Sequence, residues 1–236
     1  QALFPETIQL GDVTNWRDWD IDWPSVDLVT GGFPCQAWSM AGKQLGDKDE
    51  RGMLFWTMLD IMKHVKYHNP KADFLIENVK MKKEFEEYIT THTENALGHV
   101  HKILINSALV SAQNRNRYYW TSFKVEQPED KGVLLKDILS SFVHEKFYVS
   151  EKQLSRIDLS NVSNHGGCRI CFQSPGQDAI KSECLMARDY KGISGKQFFT
   201  AAMVNGRLRK LTPREYMRLQ TVPEHHIDTL LNAGIS

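Results

Sequence analysis

No run in this 236-residue chain approaches the ~18 consecutive apolar residues that a membrane-spanning helix needs. No basic stretch followed by an apolar one opens it as a secretory signal would. Cysteine is scarce: four in this length are too few for a disulfide scaffold, so a reducing, cytoplasmic setting is expected. Neither charge sign is in excess. Lys and Arg number 29, as do Asp and Glu, so nucleic-acid binding would have to come from local patches rather than a field over the whole protein. Internal repeats and low-complexity tracts are also missing. What remains, 41% hydrophobic and 25% charged, is the make-up of an ordinary globular protein. It is long enough for one large domain, or one large and one small.

Two apolar runs stand out early. Val26-Asp27-Leu28-Val29-Thr30, closed by Gly31-Gly32, reads as a buried strand. Phe74-Leu75-Ile76 reads as a second, entered from an Asn69-Pro70 turn. Between them Leu54, Met58, Ile61, Met62 and Val65 recur at helical spacing, which predicts an amphipathic helix over 53–67. Strand, helix, strand makes a βαβ unit with parallel strands. A further helix over 85–96 and strands over 102–110 and 118–123 extend residues 1–123 into an α/β domain with a mainly parallel sheet. Residues 124–206, with scattered glycines and no sustained period, suit a smaller, loop-rich lobe. Thr212, Pro213 and Glu215 carry the capping-box pattern of a final helix within 207–236.

The βαβ reading has a chemical consequence. Functional groups of open parallel sheets gather beyond the carboxyl ends of the strands. Cys35 follows the first strand and Glu77 follows the second, so a thiol and a carboxylate are expected at one sheet edge, as nucleophile and acid/base partner. The bland alternative, a buried cysteine and a solvated glutamate, is weakened by Gly31-Gly32 before the cysteine and the long polar loop 37–51 after it.

Gly32-Phe33-Pro34-Cys35-Gln36, with Ser39, Ala41 and Gly42, resembles the nucleophile motif of the DNA cytosine-5 methyltransferases. Glu77-Asn78-Val79 resembles that family's glutamate motif, and Gln113 through Arg117 its Gln-x-Arg-x-Arg motif. Arg209 through Gln220 is similar to the late motif that supports the target-recognition lobe. Arg51 to Phe55 and, more weakly, Gly11-Asp12-Val13 match two more, in the family order. The resemblance implies a Rossmann-like sheet dependent on S-adenosylmethionine, incomplete at its N-terminal edge, and a recognition lobe over 124–206. It implies that Cys35 attacks carbon 6 of a flipped-out cytosine, that Glu77 bonds the ring edge, and that Arg115 and Arg117 contact the base or the covalent intermediate. An unactivated thiol, pKa ~8.5, is mostly protonated at neutral pH, so nearby arginines are expected to lower it. Asp12, Pro34 and Leu54 would hold the methyl donor, and Gln36 and Ser39 would fill the vacated stack or hold phosphate. Trp38 stands where the family more often has phenylalanine, a change expected to keep the apolar contact.

Arg207, Arg209, Lys210, Arg214 and Arg218 put five positive charges into twelve residues. Arg209, Arg214 and Arg218 are therefore expected to contact DNA phosphates. His165, Cys168, Cys171 and Cys184 form an incomplete zinc pattern, and no metal is expected. The expected partner is double-stranded DNA, with no membrane; a cognate restriction endonuclease of the same system is a candidate partner, with no stable complex implied, and the protein is expected to be a monomer. The chain departs from the family in two places. It has no Gly-x-Gly for the cofactor loop, and it stops at Ser236 before the Gly-Asn motif expected next. With Gln1 as its first residue, it is expected to be a segment of a longer enzyme, binding the methyl donor poorly alone. The alternatives are a non-catalytic DNA-binding remnant, one half of a split methyltransferase, or an enzyme acting on transfer RNA.

Overall fold

A computed structural model describes residues 2–35, 38, 52–155, 170–172, 181–185 and 201–235. The first apolar run forms β1 (Leu28–Gly32), and the helical spacing that follows it forms α1 (Leu54–His68). β2 (Asp73–Val79) then runs parallel to β1 in the register Leu28↔Asp73 to Gly32↔Glu77. α1 buries Phe55, Leu59, Ile61, Met62 and Val65. Its side chains press closely on β1: a Cβ on Gly31 would lie 2.8 Å from the Met58 sulfur. Helix and strand therefore approach only because position 31 carries no side chain. α1 ends where Asn69 leaves the helical region, and Pro70 could not have continued it.

α2 (Lys83–Leu97), β3 (His101–Asn106) and β4 (Asn116–Thr121) complete this half of the molecule. The sheet order is β1-β2-β4-β3, with β4 antiparallel to both its neighbours. The sheet is thus mixed, a correction to the mainly parallel one read from the sequence. The physical reason is the β3–β4 link, residues 107–115, which is shorter than the dozen or so residues that a parallel crossover requires. β3 is also shorter than expected, because Ser107–Leu109 closes into a 3-10 turn. Phe74, Ile76 and Trp120 line the covered face with Phe55, Met62 and Ile89, all at most 1% exposed. Burying each such side chain contributes about 1.5–3 kcal/mol. The Trp120 indole donates to Thr90 Oγ1 at 2.8 Å, so its polar atom is satisfied.

The chain divides into two units by contacts. The sheet unit is Ile8–Asn106 with Asn116–Gln127, and the second unit is Gln1–Thr7, Ser107–Arg115 and Pro128–Ser236. In the second unit, α3 (Leu135–Ile138) and α4 (Glu151–Leu154) precede a three-stranded sheet. Its strands β5 (Ile170–Phe172), β6 (Ala201–Val204) and β7 (Arg207–Lys210) pair in that order, β5–β6 parallel and β6–β7 antiparallel. Asn205 and Gly206 turn β6 into β7 with φ of 50° and 75°, the two left-handed residues a tight hairpin asks for. A second core gathers Ala112, Leu135, Ile138, Ala202, Leu211 and Leu219.

The capping box predicted at Thr212 is present on α5 (Pro213–Leu219). The helix is not continuous to the end, however. Thr221 takes a positive φ of 59°, Pro223 follows, and α6 (Glu224–Asn232) begins anew. Among the described residues no helix is long and apolar enough to cross a membrane.

Candidate active site

The segment after β1 is fixed on both sides of its cysteine. Phe33, before it, is 5% exposed, and Trp38, after it, is 1% exposed. The Trp38 ring meets Phe33, Phe55 and Phe85 edge-on at centroid distances of 5.7, 6.0 and 5.6 Å. Its backbone N–H donates to the Cys35 carbonyl at 3.0 Å, closing a turn. Two aromatic anchors therefore stand on either side of Cys35, which is half-buried, as a free thiol. The ring at position 38 does make the apolar contact expected of it.

Glu77 lies on β2, level with Gly32 on one side and Tyr119 on the other. A Cβ on Gly32 would stand 3.3 Å from both the Glu77 carbonyl and its Oε2. Glycine at 32 thus leaves room for the carboxylate at the strand end. Arg117, at the start of β4, reaches back across the ladder, and its Nε lies 2.7 Å from Glu77 Oε1. Its Nη1 also donates to the Asn116 carbonyl at 2.8 Å, which fixes the guanidinium plane. The pair is partly open, the Arg117 side chain being 14% and the Glu77 side chain 35% exposed. The structure thus brings Cys35 and Glu77 to one end of the parallel pair and adds Arg117 to Glu77.

The two arginines of the Gln113–Arg117 stretch fall in different units. Arg115, in the second, donates from Nη1 to the Cys184 sulfur at 3.6 Å. Gln113, 1% exposed, spends its side chain structurally, donating to the Leu219 carbonyl at 3.2 Å and accepting from the Leu185 N–H at 2.9 Å. The sequence motif alone assigns no role to the Gln113 side chain. Its signal, a polar residue that turns out buried, is not visible before folding.

Among the proposed donor-binding residues, Asp12 is exposed and caps a 3-10 turn, Val13–Asp18. Its Oδ1 accepts from the Thr14 N–H at 2.9 Å and the Thr14 hydroxyl at 2.8 Å, and these bonds hold its carboxyl below the usual range. Leu54 opens α1 half-buried, and Pro34 is half-buried beside Cys35. Gln36 and Ser39 lie outside the described residues, as do His165 and Cys168; of Cys171 only its backbone place in β5 is described.

The cationic run is a correction. Arg209 is 1% exposed, and its guanidinium grips the Glu215 carboxylate through two bonds of 2.8 and 2.7 Å. Glu215 accepts from the Ser140 and Thr212 N–H groups as well, both at 2.7 Å. Burial pushes the Glu215 carboxyl up, but Arg209 and these N–H groups outweigh it and hold the pKa low. A phosphate cannot reach Arg209, so it is not a DNA contact. Arg214 bonds Asp228 and Glu224, and Arg218 bonds Glu224 and the Ile138 carbonyl. Arg207 is paired with Glu145 over the Tyr148 ring. The run that looked like a positive edge is largely neutralised, by Glu215 within it and by Glu145, Glu224 and Asp228 from outside it.

A family model described as C-5 cytosine-specific DNA methylase matches residues 1–229. The chain is 34% identical over 235 residues to the Type II methyltransferase M1.ScrFI of Lactococcus lactis subsp. cremoris, covering 92% of this chain and 58% of that protein. To M.HpaII of Haemophilus parainfluenzae it is 30% identical over 241 residues, 88% of this chain and 65% of the other. To M.NlaX of Neisseria lactamica it is 30% identical over 228 residues, covering 91% and 70%. The fold is similar to that of an Entamoeba histolytica methyltransferase, with TM-score 0.64, 14% identity and coverage of 94% and 73%. It is also similar to Spodoptera frugiperda DNMT2, with TM-score 0.55, 19% identity and coverage of 94% and 77%.

Proposed function

We infer the chemistry of this chain from one premise: it belongs to the C-5 cytosine-specific DNA methylase family. We propose that the protein transfers a methyl group from S-adenosylmethionine to carbon 5 of a cytosine in double-stranded DNA, through a covalent adduct with Cys35. The observation that carries this reading is the parallel β1–β2 pair, which brings Cys35 and Glu77 to one sheet end with Arg117 paired to Glu77.

The residues suit that chemistry. The target cytosine must leave the duplex, at a cost of a few kcal/mol. The Cys35 sulfur then adds to carbon 6, and the electron pair of the 5,6 double bond becomes available at carbon 5. Glu77 bonds the ring edge and offsets charge at the ring nitrogen, while Arg117 fixes the carboxylate. After methylation carbon 5 loses its proton, the C–S bond breaks, and the thiolate is restored.

The donor-site residues fit an adenosyl group. Both bonds from Thr14 fall on Asp12 Oδ1, so Oδ2 keeps lone pairs for an amino group, and half-buried Leu54 and Pro34 offer apolar surface. S-adenosylmethionine, when bound, supplies an electrophilic methyl group. The relatives named Type II methyltransferases support a role in protecting DNA from a restriction enzyme. The test is Cys35→Ser: methyl transfer to DNA should vanish while DNA affinity stays close to that of the unaltered protein. A variant that still methylates at the original rate sinks the assignment of the nucleophile.

A further inference from the structure

β1 leaves the backbone ladder at Gly32, so main-chain hydrogen bonds no longer set the register of the residues that follow. Asn78, next to Glu77 on β2, takes over. It is 1% exposed, donates from Nδ2 to the Phe33 carbonyl at 3.0 Å, and accepts at Oδ1 from the Val79 N–H at 2.8 Å. The partners fix the amide orientation, since a flipped group would set two acceptors and two donors face to face. Phe33 is joined to Cys35 through Pro34 alone, whose ring restricts φ, so little freedom separates the anchored carbonyl from the thiol. Adjacent side chains of a strand point to opposite faces. Glu77 and Asn78 therefore act on the two sides of one backbone: the first carries the carboxylate, and the second ties the nucleophile's turn to it.

We propose that Asn78 is a positioning residue that fixes the Cys35 sulfur relative to the Glu77 carboxylate. The inference rests on the function proposed above. The other end of the same strands offers a matched control. Asn69 there donates from Nδ2 to the Val26 carbonyl at 3.0 Å and accepts from the Lys71 N–H at 3.1 Å, so it makes the same two kinds of bond far from the thiol along the strands.

The experiment follows sulfur addition without the methyl donor. Addition of the Cys35 sulfur to carbon 6 lets carbon 5 take a proton from water, and the reverse elimination releases the original hydrogen. Double-stranded DNA of mixed sequence, tritiated at cytosine carbon 5, therefore loses tritium to water. Asn78→Asp keeps the side chain's shape and the Val79 bond but removes the donor to Phe33. Misplacement by about 1 Å costs roughly 100-fold in rate. Release at saturating DNA should fall by about that factor with half-saturation by DNA unchanged, while Asn69→Asp stays within about twofold of the unaltered chain. Asn78→Ser, which brings in no charge, carries the same expectation should the aspartate variant fail to fold. Equal losses in the Asn69 and Asn78 variants, or no loss in either Asn78 variant, overturn the proposal alone. No release by the unaltered chain above that of Cys35→Ser overturns the function reading, and this proposal with it.

Discussion

Two of the molecule's carboxylate–guanidinium pairs have the same length and opposite use. In the sheet unit, Glu77 and Arg117 meet at 2.7 Å with the carboxylate side chain 35% exposed. In the second unit, Arg209 and Glu215 meet at 2.7 Å with both side chains at most 1% exposed. The buried carboxylate has every neighbour it needs within the protein: two guanidinium bonds and two backbone N–H donors. It joins β7, the first turn of α5 and the residues after α3 into one structure. The open carboxylate stands at a strand end where glycine makes room for it, beside a turn that presents a thiol. Burial, more than pairing, separates a structural ion pair from one that can meet a substrate.

The largest effect should come from breaking the open pair and should appear in rate, with little in stability. Glu77→Gln keeps shape but loses the charge that offsets the ring, and removing one such electrostatic stabiliser costs about 10²–10³-fold. Methyl transfer should fall within that range, while the melting midpoint moves by the equivalent of ~1 kcal/mol or less, as for other partly solvated pairs. A large drop in stability with an unchanged rate would reverse the roles given to the two pairs.

Breaking the buried pair should do the opposite. Arg209→Met fills the volume but strands the Glu215 charge in the core, which costs about 3–5 kcal/mol. All six tryptophans, Trp16, Trp19, Trp23, Trp38, Trp56 and Trp120, belong to the sheet unit. Tryptophan emission therefore follows that unit alone, while circular dichroism follows both. The expected result is an early loss of dichroism with the emission transition in place. A common shift of both signals would mean that the units unfold together.

The same contrast governs acid. Because the Glu215 carboxyl lies below its ordinary value in the folded state, the unfolded chain binds the proton more readily. The resulting stability is fully present above the unfolded value of ~4.3 and drains away as pH falls through the lower folded value. Denaturant midpoints measured by dichroism should therefore drop below about pH 4, and Glu215→Gln should flatten that slope. An unchanged slope in the variant would take the acid sensitivity away from Glu215.

Much of this contrast was legible before folding, and the illegible part has a pattern. β1, α1 and β2 followed from an apolar run, a three-and-four spacing and a second run, all local signals. Their parallel pairing then put Cys35 and Glu77 at one edge. The place of β4 between β2 and β3 was not legible, because strand order depends on pairings distant in sequence. The capping box at Thr212 could be read, but the second use of Glu215, as the partner of Arg209, could not. Arg209 and Arg214 look alike in a charged run, and only the folded surroundings of Glu215, which draw in the Ser140 N–H from far along the chain, bury the first. The turn at Asn205-Gly206 lies between the apolar Ala201–Val204 and the charged Arg207–Lys210, and that dipeptide is the strongest short-range hairpin signal.

The smallest expected effect tests the middle of the scale. Arg214 is 31% exposed and bridges Glu224 and Asp228, with its guanidinium pKa raised by Asp228 first and Glu224 second. It has the charge and reach of Arg209 but water on one side, and both its carboxylates are more than half exposed. Removing it leaves them solvated rather than stranded, so Arg214→Ala should cost about 1 kcal/mol or less and lose even that at high salt. If it instead costs as much as Arg209→Met, burial is not what sets the worth of these pairs. Long-range charge in the run 207–218 would then have to carry that stability, and it would screen out as salt is added.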